Sequence, residues 1–447
     1  MNRTSKKIHL QNTSDFKSKL FDWAQQFKEI TWLESNDYDH NYSSYDTVLA
    51  VEASSFLKTD YNNAFTELQL YRKQATDYIF GYLSYDLKND IEDLSSKNID
   101  GLGFEDLYFF QPKKLFFVKD NKLEIQYLKE FEQEIESDLE AIYNFDEKLK
   151  QPFDEVCLEQ NGKTQNGNKM HDVKIHKRIT KKEYQKKLET ILQHIHRGDI
   201  YEMNFCQEFY AENASINPME VYKKLNQISK SPFATFFRNN DNYLLSASPE
   251  RFAKKERNKI ISQPIKGTAK RLINKKLDKK LAEELEKDEK ERSENIMIVD
   301  LVRNDLSKTA IKGRVKVEEL CKVYSFKQVH QLISTITSEV LSETDPVDII
   351  SSLFPMGSMT GAPKISAMQI IEELETTKRG LYSGAVGYFT PKDDFDFSVV
   401  IRSILYNQNN KYVSYSVGGA ITSKSDPEKE YQECLLKAIA MKRALKK

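Results

Sequence analysis

The sequence predicts an α+β fold built on large, mostly antiparallel sheets. Short apolar and aromatic runs bounded by turn residues read as strands, and 114–118 and 123–127 flank Lys119-Asp120-Asn121-Lys122 as a hairpin. Other segments carry the helical period, as where Leu277, Leu281 and Leu285 fall at i, i+4 and i+8 among charged residues. The two kinds of segment do not alternate strictly, which argues against βαβ units and a parallel sheet.

In chain order, a polar, basic start leads into an amphipathic helix at 16–27. Residues 32–35 and 47–51 read as strands, and 79–87 as an aromatic strand broken by Gly81. A charged helix covers 130–143. Residues 151–175 are rich in Asn, Gln, Gly and Lys and read as a linker. This gives an N-terminal half at 1–150, a linker at 151–176 and a larger region at 177–447. Thr180 and Glu183 form a capping box for a helix at 181–197, closed by Gly198. Strands follow at 203–210, 233–238, 243–247 and 259–265, then the Leu277 helix and a helix at 291–306. Residues 329–337, 397–404 and 412–417 read as strands, and Ile365, Met368 and Ile371 share a helical face. Asp426 as N-cap and Pro427 at the first position open a last helix that runs to the C-terminus.

Composition narrows the function. Of 447 residues 39% are hydrophobic, enough for a sizeable core, and a net charge of -1 gives no basic field for nucleic acid. The four cysteines form no CxxC pair, no signal-peptide h-region is visible and no run of about 20 apolar residues occurs. The expectation is a soluble cytoplasmic protein.

Several residues have chemistry in them. Lys266, in Pro264-Ile265-Lys266-Gly267-Thr268, stands between an apolar strand and a glycine, where burial would lower its pKa and make it a nucleophile. Taken alone, the pentapeptide reads first as a surface lysine beside a turn, and context elsewhere in the chain reverses that. Glu291 with Glu294, and Glu430 with Glu433, are i, i+3 pairs on helices; like charges so placed either share a hard cation such as Mg²⁺ or are solvated faces. Gly418-Gly419 at the end of a strand suits an anion or a plain turn. The loop from Gly357 to Lys364 precedes a helix but lacks the P-loop register, which disfavours an NTPase. Arg402 in an apolar strand needs a carboxylate, from a ligand or from the protein. Tyr388 and His330 are polar tips on apolar strands. Glu250, in Ser248-Pro249-Glu250-Arg251-Phe252, is either a general acid or the partner of Arg251.

Taken in series, 198–201, the SPERF and PIKGT blocks, ENIMIVDLVRND at 294–305, FPMGSMTGAPK, GAVGYF at 384–389, 400–403 and 418–433 resemble the chorismate-utilising enzymes across about 180–447. Tyr85-Asp86 resembles their N-terminal half. The resemblance implies two packed antiparallel sheets flanked by helices. Lysine in PIKGT is similar to the branch that aminates chorismate at ring carbon C4 towards 4-aminobenzoate and folate; the anthranilate-forming branch has alanine there. The implied roles are Lys266 attacking C2, Glu250 protonating the departing C4 hydroxyl, and Glu294 and Glu433 holding Mg²⁺ with Glu291 and Glu430 in support. Arg402, Tyr388, Gly418 and Gly419 would grip the enolpyruvyl carboxylate, and His330 and Ser358 would line the ring pocket. A nucleophilic Lys266 must be neutral, so a depressed pKa is expected.

No GxCxG glutaminase motif surrounds any cysteine, so the resemblance implies ammonia from a separate glutamine amidotransferase subunit in a heterodimer, or from solution. No pyridoxal-phosphate lyase region is visible, so the product is expected to stop at 4-amino-4-deoxychorismate. Trp32-Leu33-Glu34-Ser35 resembles the family's Leu-Leu-Glu-Ser tryptophan motif but begins with tryptophan; a residual pocket and a plain core strand both fit. The rivals are an anthranilate synthase large subunit and a non-catalytic chorismate-binding subunit.

Overall fold

Thr47–Thr59 and Leu107–Lys119 are the longest strands, and the sheet is arranged on them. The computed structural model describes residues 3–38, 42–145, 173–326 and 329–446. The two long strands pair from Thr47↔Val118 to Thr59↔Leu107, with a bulge between Ala53 and Ser55. One ladder runs from Lys122–Leu128 through both long strands to Glu29–Glu34, Phe233–Asn239, Asn242–Ser248, Ser403–Asn407, Tyr412–Thr422 and Glu202–Ala211. A second leaves Leu107–Lys119 through Ile79–Leu83, Ala385–Phe389, Phe395–Val399, Arg251–Glu256 and Lys259–Gln263 to Val329–Glu339. The last of these also pairs with Ile265–Lys270 and Lys316–Ser325. Every named pair is antiparallel. The two expected sheets are therefore joined through shared strands into one hydrogen-bonded system.

Side-chain alternation separates two cores. Phe80, Tyr82, Phe109, Phe117, Phe237 and Phe397 fill the space between the ladders. Trp32, Phe116 and Phe236 point the other way, against Phe16, Leu20, Leu139, Leu188 and Leu225 of the covering helices. Each such side chain contributes about 1.5–3 kcal/mol when fully buried.

The N-terminal residues are woven into the rest: Glu29–Glu34 lies along Phe233–Asn239 and Ile79–Leu83 along Ala385–Phe389. The linker read at 151–176 lies mostly outside the described residues. Among the described residues no helix is long and apolar enough to cross a membrane.

Five expectations change. The aromatic strand read at 79–87 ends at Leu83, and Tyr85–Leu87 form a helical turn instead. The polar start contains a strand, Arg3–His9, which edges the sheet beside Lys122–Leu128, with Ser5, Lys7 and His9 exposed and Arg3 turned in to pair with Asp77. The strand read at 397–404 breaks after Val399, and Arg402 sits in the gap with φ +53°. The strand read at 412–417 runs on to Thr422 through both glycines. The last helix is interrupted at Ala438.

Gly81 faces Gly387 across one ladder and Phe109 across the other. A Cβ at Gly81 would meet Tyr108 O at 2.0 Å. Gly81→Ala is expected to cost ~1–3 kcal/mol or more through overpacking. Calorimetry would read it as a lowered midpoint, and an unchanged midpoint would refute the close packing.

Candidate active site

Lys266 is aimed by a bulge. The pairing of Ile265–Lys270 with Val329–Glu339 slips between Lys266 and Thr268, and Gly267 takes φ +84° there. Glycine adopts that conformation without strain, and the extra residue turns the neighbouring side chain. A Cβ on Gly267 would also lie 2.9 Å from Leu332 Cδ1. The Lys266 side chain is 12% exposed, and its Nζ donates to Glu202 Oε1 at 3.1 Å.

The depressed pKa expected for Lys266 is not what this setting produces. Burial works to lower it, but the charges of Glu202, Glu294 and Glu250 outweigh burial and the net shift is upward. With no metal cation beside Glu294, these carboxylates favour the ammonium form of Lys266.

Glu250 stands in the turn between Asn242–Ser248 and Arg251–Glu256 and is buried. Ser358 Oγ donates to its Oε1 at 2.7 Å, and the backbone of Ile265 reaches the carboxylate too. Burial pushes its carboxyl up to about 7, against the pull of Ser358 and Lys266. The alternative partner is otherwise engaged: Arg251 pairs with Asp396 at 3.0 Å and donates to Gln263. Glu250 is thus a buried acid beside the residue that precedes Lys266.

The acidic pairs lie on Glu289–Ser307 and Pro427–Lys437. Lys290 feels the charges of Glu294, Glu430, Glu291 and Glu433 together, so the two helices turn these carboxylates towards a common region. Glu294 lies 3.7 Å from Lys290 Nζ, yet its Oε1 is buried without a hydrogen bond. Burial raises the Glu294 carboxyl to about 7. Ser425 donates to Glu430 at 2.8 Å, and Glu433 pairs with Lys437 at 2.8 Å. Among the described residues no three His, Cys, Asp or Glu groups form a closed metal cage. An orphaned carboxylate oxygen within an all-oxygen donor set fits Mg²⁺, which takes one or two carboxylates and leaves positions for substrate and water.

Arg402 makes no side-chain hydrogen bond or ion pair among the described residues. The internal salt bridge open to it is absent, while Tyr382 and Glu433 lie within its electrostatic reach. A largely buried guanidinium without a partner is suited to a bidentate carboxylate.

Tyr388, His330 and Gly418 are placed differently. Tyr388 stacks on Phe80 at 5.2 Å and lines a second cleft with Leu33, Glu34, Ser35, Tyr45 and Asp396, because its side of Ala385–Phe389 faces the intersheet core. His330 engages Ser325 Oγ at 2.8 Å and Asp278 at 3.1 Å through its two ring nitrogens, leaving neither for a ligand. Gly418 and Gly419 lie within a strand, opposite Cys206 and Phe205. A Cβ on Gly418 would sit 2.4 Å from Phe205 O, so close strand packing accounts for that glycine. Trp32 belongs to the helix-side core, while the next three residues reach the second cleft.

Two residues escaped the sequence reading. Glu202 touches Lys266 and is 2% exposed; its signal was a carboxylate opening an apolar strand. Tyr382, six residues before Tyr388, is the tyrosine near Arg402, and no spacing distinguishes it.

The sequence profile of the chorismate binding enzymes matches residues 19–443. Aminodeoxychorismate synthase component 1 of Salmonella typhimurium is 40% identical over 255 residues, 57% of this chain and 56% of the relative. The chain thus matches little more than half the length of that relative. The component 1 of Bacillus subtilis is 33% identical over 410 residues, 87% of this chain and 80% of the relative. Anthranilate synthase component I of Streptococcus pneumoniae superposes with a TM-score of 0.75 at 25% identity, over 91% of this chain and 94% of that one.

Proposed function

The chain belongs to the chorismate-binding enzyme family, and from that premise we propose that it aminates chorismate at C4 to 4-amino-4-deoxychorismate. The observation that carries the reading is a lysine on a strand and a buried glutamate in a distant turn brought together: Lys266, and Glu250, whose carboxylate the backbone of Ile265 reaches. The similarity to aminodeoxychorismate synthase component 1 over 87% of the chain supports it.

Chorismate is a dianion, and Arg402, unpaired among the described residues, is the group suited to its enolpyruvyl carboxylate. Mg²⁺, held by Glu294 and Glu433 with Glu291 and Glu430 in support, would supply Lewis-acid polarisation of the ring carboxylate. Lys266 as free amine adds at C2, and electrons move through the diene to C4. Glu250 gives its proton to the C4 oxygen, which leaves as water. Ammonia bonds to C4, the C2–nitrogen bond breaks, and the new C4 ammonium returns a proton to Glu250. Adding a lysine divides one difficult displacement into two steps.

We further propose that ammonia comes from a separate glutamine amidotransferase subunit and that the enzyme works in the cytoplasm, where its unpaired buried Cys206, Cys321 and Cys434 suit a reducing medium. The purified chain is then expected to use ammonium salts and not glutamine.

Incubation with chorismate, Mg²⁺ and ammonium, read by mass spectrometry, tests the reaction. 4-Amino-4-deoxychorismate is expected. Anthranilate with pyruvate selects the anthranilate-forming reading, and unchanged chorismate selects a binding subunit.

Ser358 stabilises the ionised form of Glu250. Ser358→Ala is therefore expected to move the alkaline limb of the pH–rate profile upward by roughly one unit. A stationary or falling limb would contradict the assignment of that limb to Glu250.

A further inference from the structure

Lys266 Nζ donates to the Glu202 carboxylate at 3.1 Å, and only a lysine nitrogen with a free lone pair can bond to carbon, so a proton must leave it. Five carboxylates face it: Glu202 on Glu202–Ala211, Glu250 in its turn, Glu291 and Glu294 on Glu289–Ser307, and Glu433 on Pro427–Lys437. Among the described residues only Glu202 is in hydrogen-bond contact with Lys266 Nζ, at 3.1 Å. Glu250 must already carry a proton for its own task. Glu433 is held by Lys437, and Glu294 lies beside Lys290.

Resting on the function proposed above, we propose that Glu202 accepts the proton Lys266 loses before bonding to C2, and returns it when the lysine departs. The Glu202 side chain is 2% exposed, and its Oε2 is buried with no hydrogen-bond partner. An ionised carboxylate with one oxygen wholly unsatisfied is costly away from water, and an ion pair loses ground to its neutral form as water is excluded. Substrate filling the site therefore favours amine and carboxylic acid over ammonium and carboxylate.

The steps balance. An N–H bond of Lys266 breaks as an O–H bond forms on Glu202. The freed lone pair bonds to C2, and the C4–oxygen bond breaks with the proton of Glu250, giving water. Ammonia then bonds to C4, the C2–nitrogen bond breaks, and the released amine takes its proton back from Glu202. The C4 ammonium restores Glu250.

The test compares wild type, Glu202→Gln and Glu202→Asp as full chains, with product, kcat and KM for chorismate followed against pH at constant free ammonia. Wild type is assayed first; if it makes no 4-amino-4-deoxychorismate, the functional reading fails and this proposal with it. With an active wild type, Glu202→Gln is expected to lose on the order of 10²-fold in kcat near neutral pH. Its KM should change little, and its acid limb should move to higher pH, so that its deficit against wild type at the same pH narrows as the medium is made alkaline. Glu202→Asp, which keeps a carboxylate, should recover part of kcat without that displacement. A merely structural ion pair gives the opposite sign: without the negative neighbour Lys266 loses its proton more easily, and the acid limb moves down with kcat held or raised. That result, or an aspartate variant as impaired as the glutamine one, overturns the proposal. Circular dichroism on each variant confirms that a folded chain is compared.

Discussion

Lys266→Met is expected to lower C4 amination by ~10³-fold or more with ammonium as nitrogen source, the order of loss when a covalent nucleophile is removed. Methionine is unbranched and of similar length, so it fills the lysine slot and leaves the Gly267 bulge intact. Chorismate affinity should change little, because the groups proposed to hold the substrate and the cation, Arg402 and the four glutamates, are untouched. Losing the positive charge of Lys266 leaves Glu202, Glu294 and Glu250 without it, so Glu250 should hold its proton more tightly still. The loss then cannot be blamed on a deprotonated acid. In wild type, rapid acid quench followed by peptide mass analysis should find a chorismate-derived adduct on the peptide bearing Lys266. Undiminished amination by Lys266→Met would end the covalent scheme.

Local chemistry was legible in the sequence, and partnerships across the fold were not. The Thr180–Glu183 capping box and the Asp426 cap form as read, because a cap needs only residues a turn apart. The glutamate pairs were legible for the same reason. Tyr388 was misplaced because a strand's alternation says that successive side chains oppose each other, not which side meets the substrate. That choice is fixed by Ile79–Leu83, some three hundred residues earlier, lying beside Ala385–Phe389. The charge on Lys266 was misjudged likewise: burial was foreseeable from the strand, but Glu202 arrives from a distant strand and reverses the sign. His330 read as a ligand-facing tip because Asp278 and Ser325 close on it only after folding.

Glu250→Gln is expected to lower kcat by about 10²–10⁴-fold, the usual contribution of a positioned general acid. The amide is nearly isosteric and can still accept from Ser358, so the turn should survive and KM should hold. The pH dependence separates this role from a structural one. The acting form of Glu250 is protonated, and burial raises its carboxyl to about 7. Below that pH nearly every molecule carries the proton; above it the protonated fraction falls tenfold per unit. Wild-type kcat/KM should therefore descend on the alkaline side with a midpoint near 7, and the descent should vanish in Glu250→Gln, whose residual rate has no such proton to lose. Glu250→Asp should keep the limb but lose rate, since the shorter side chain draws the acid away from C4. A limb that persists unchanged in Glu250→Gln would assign it to another group and leave the departing hydroxyl without its proton donor.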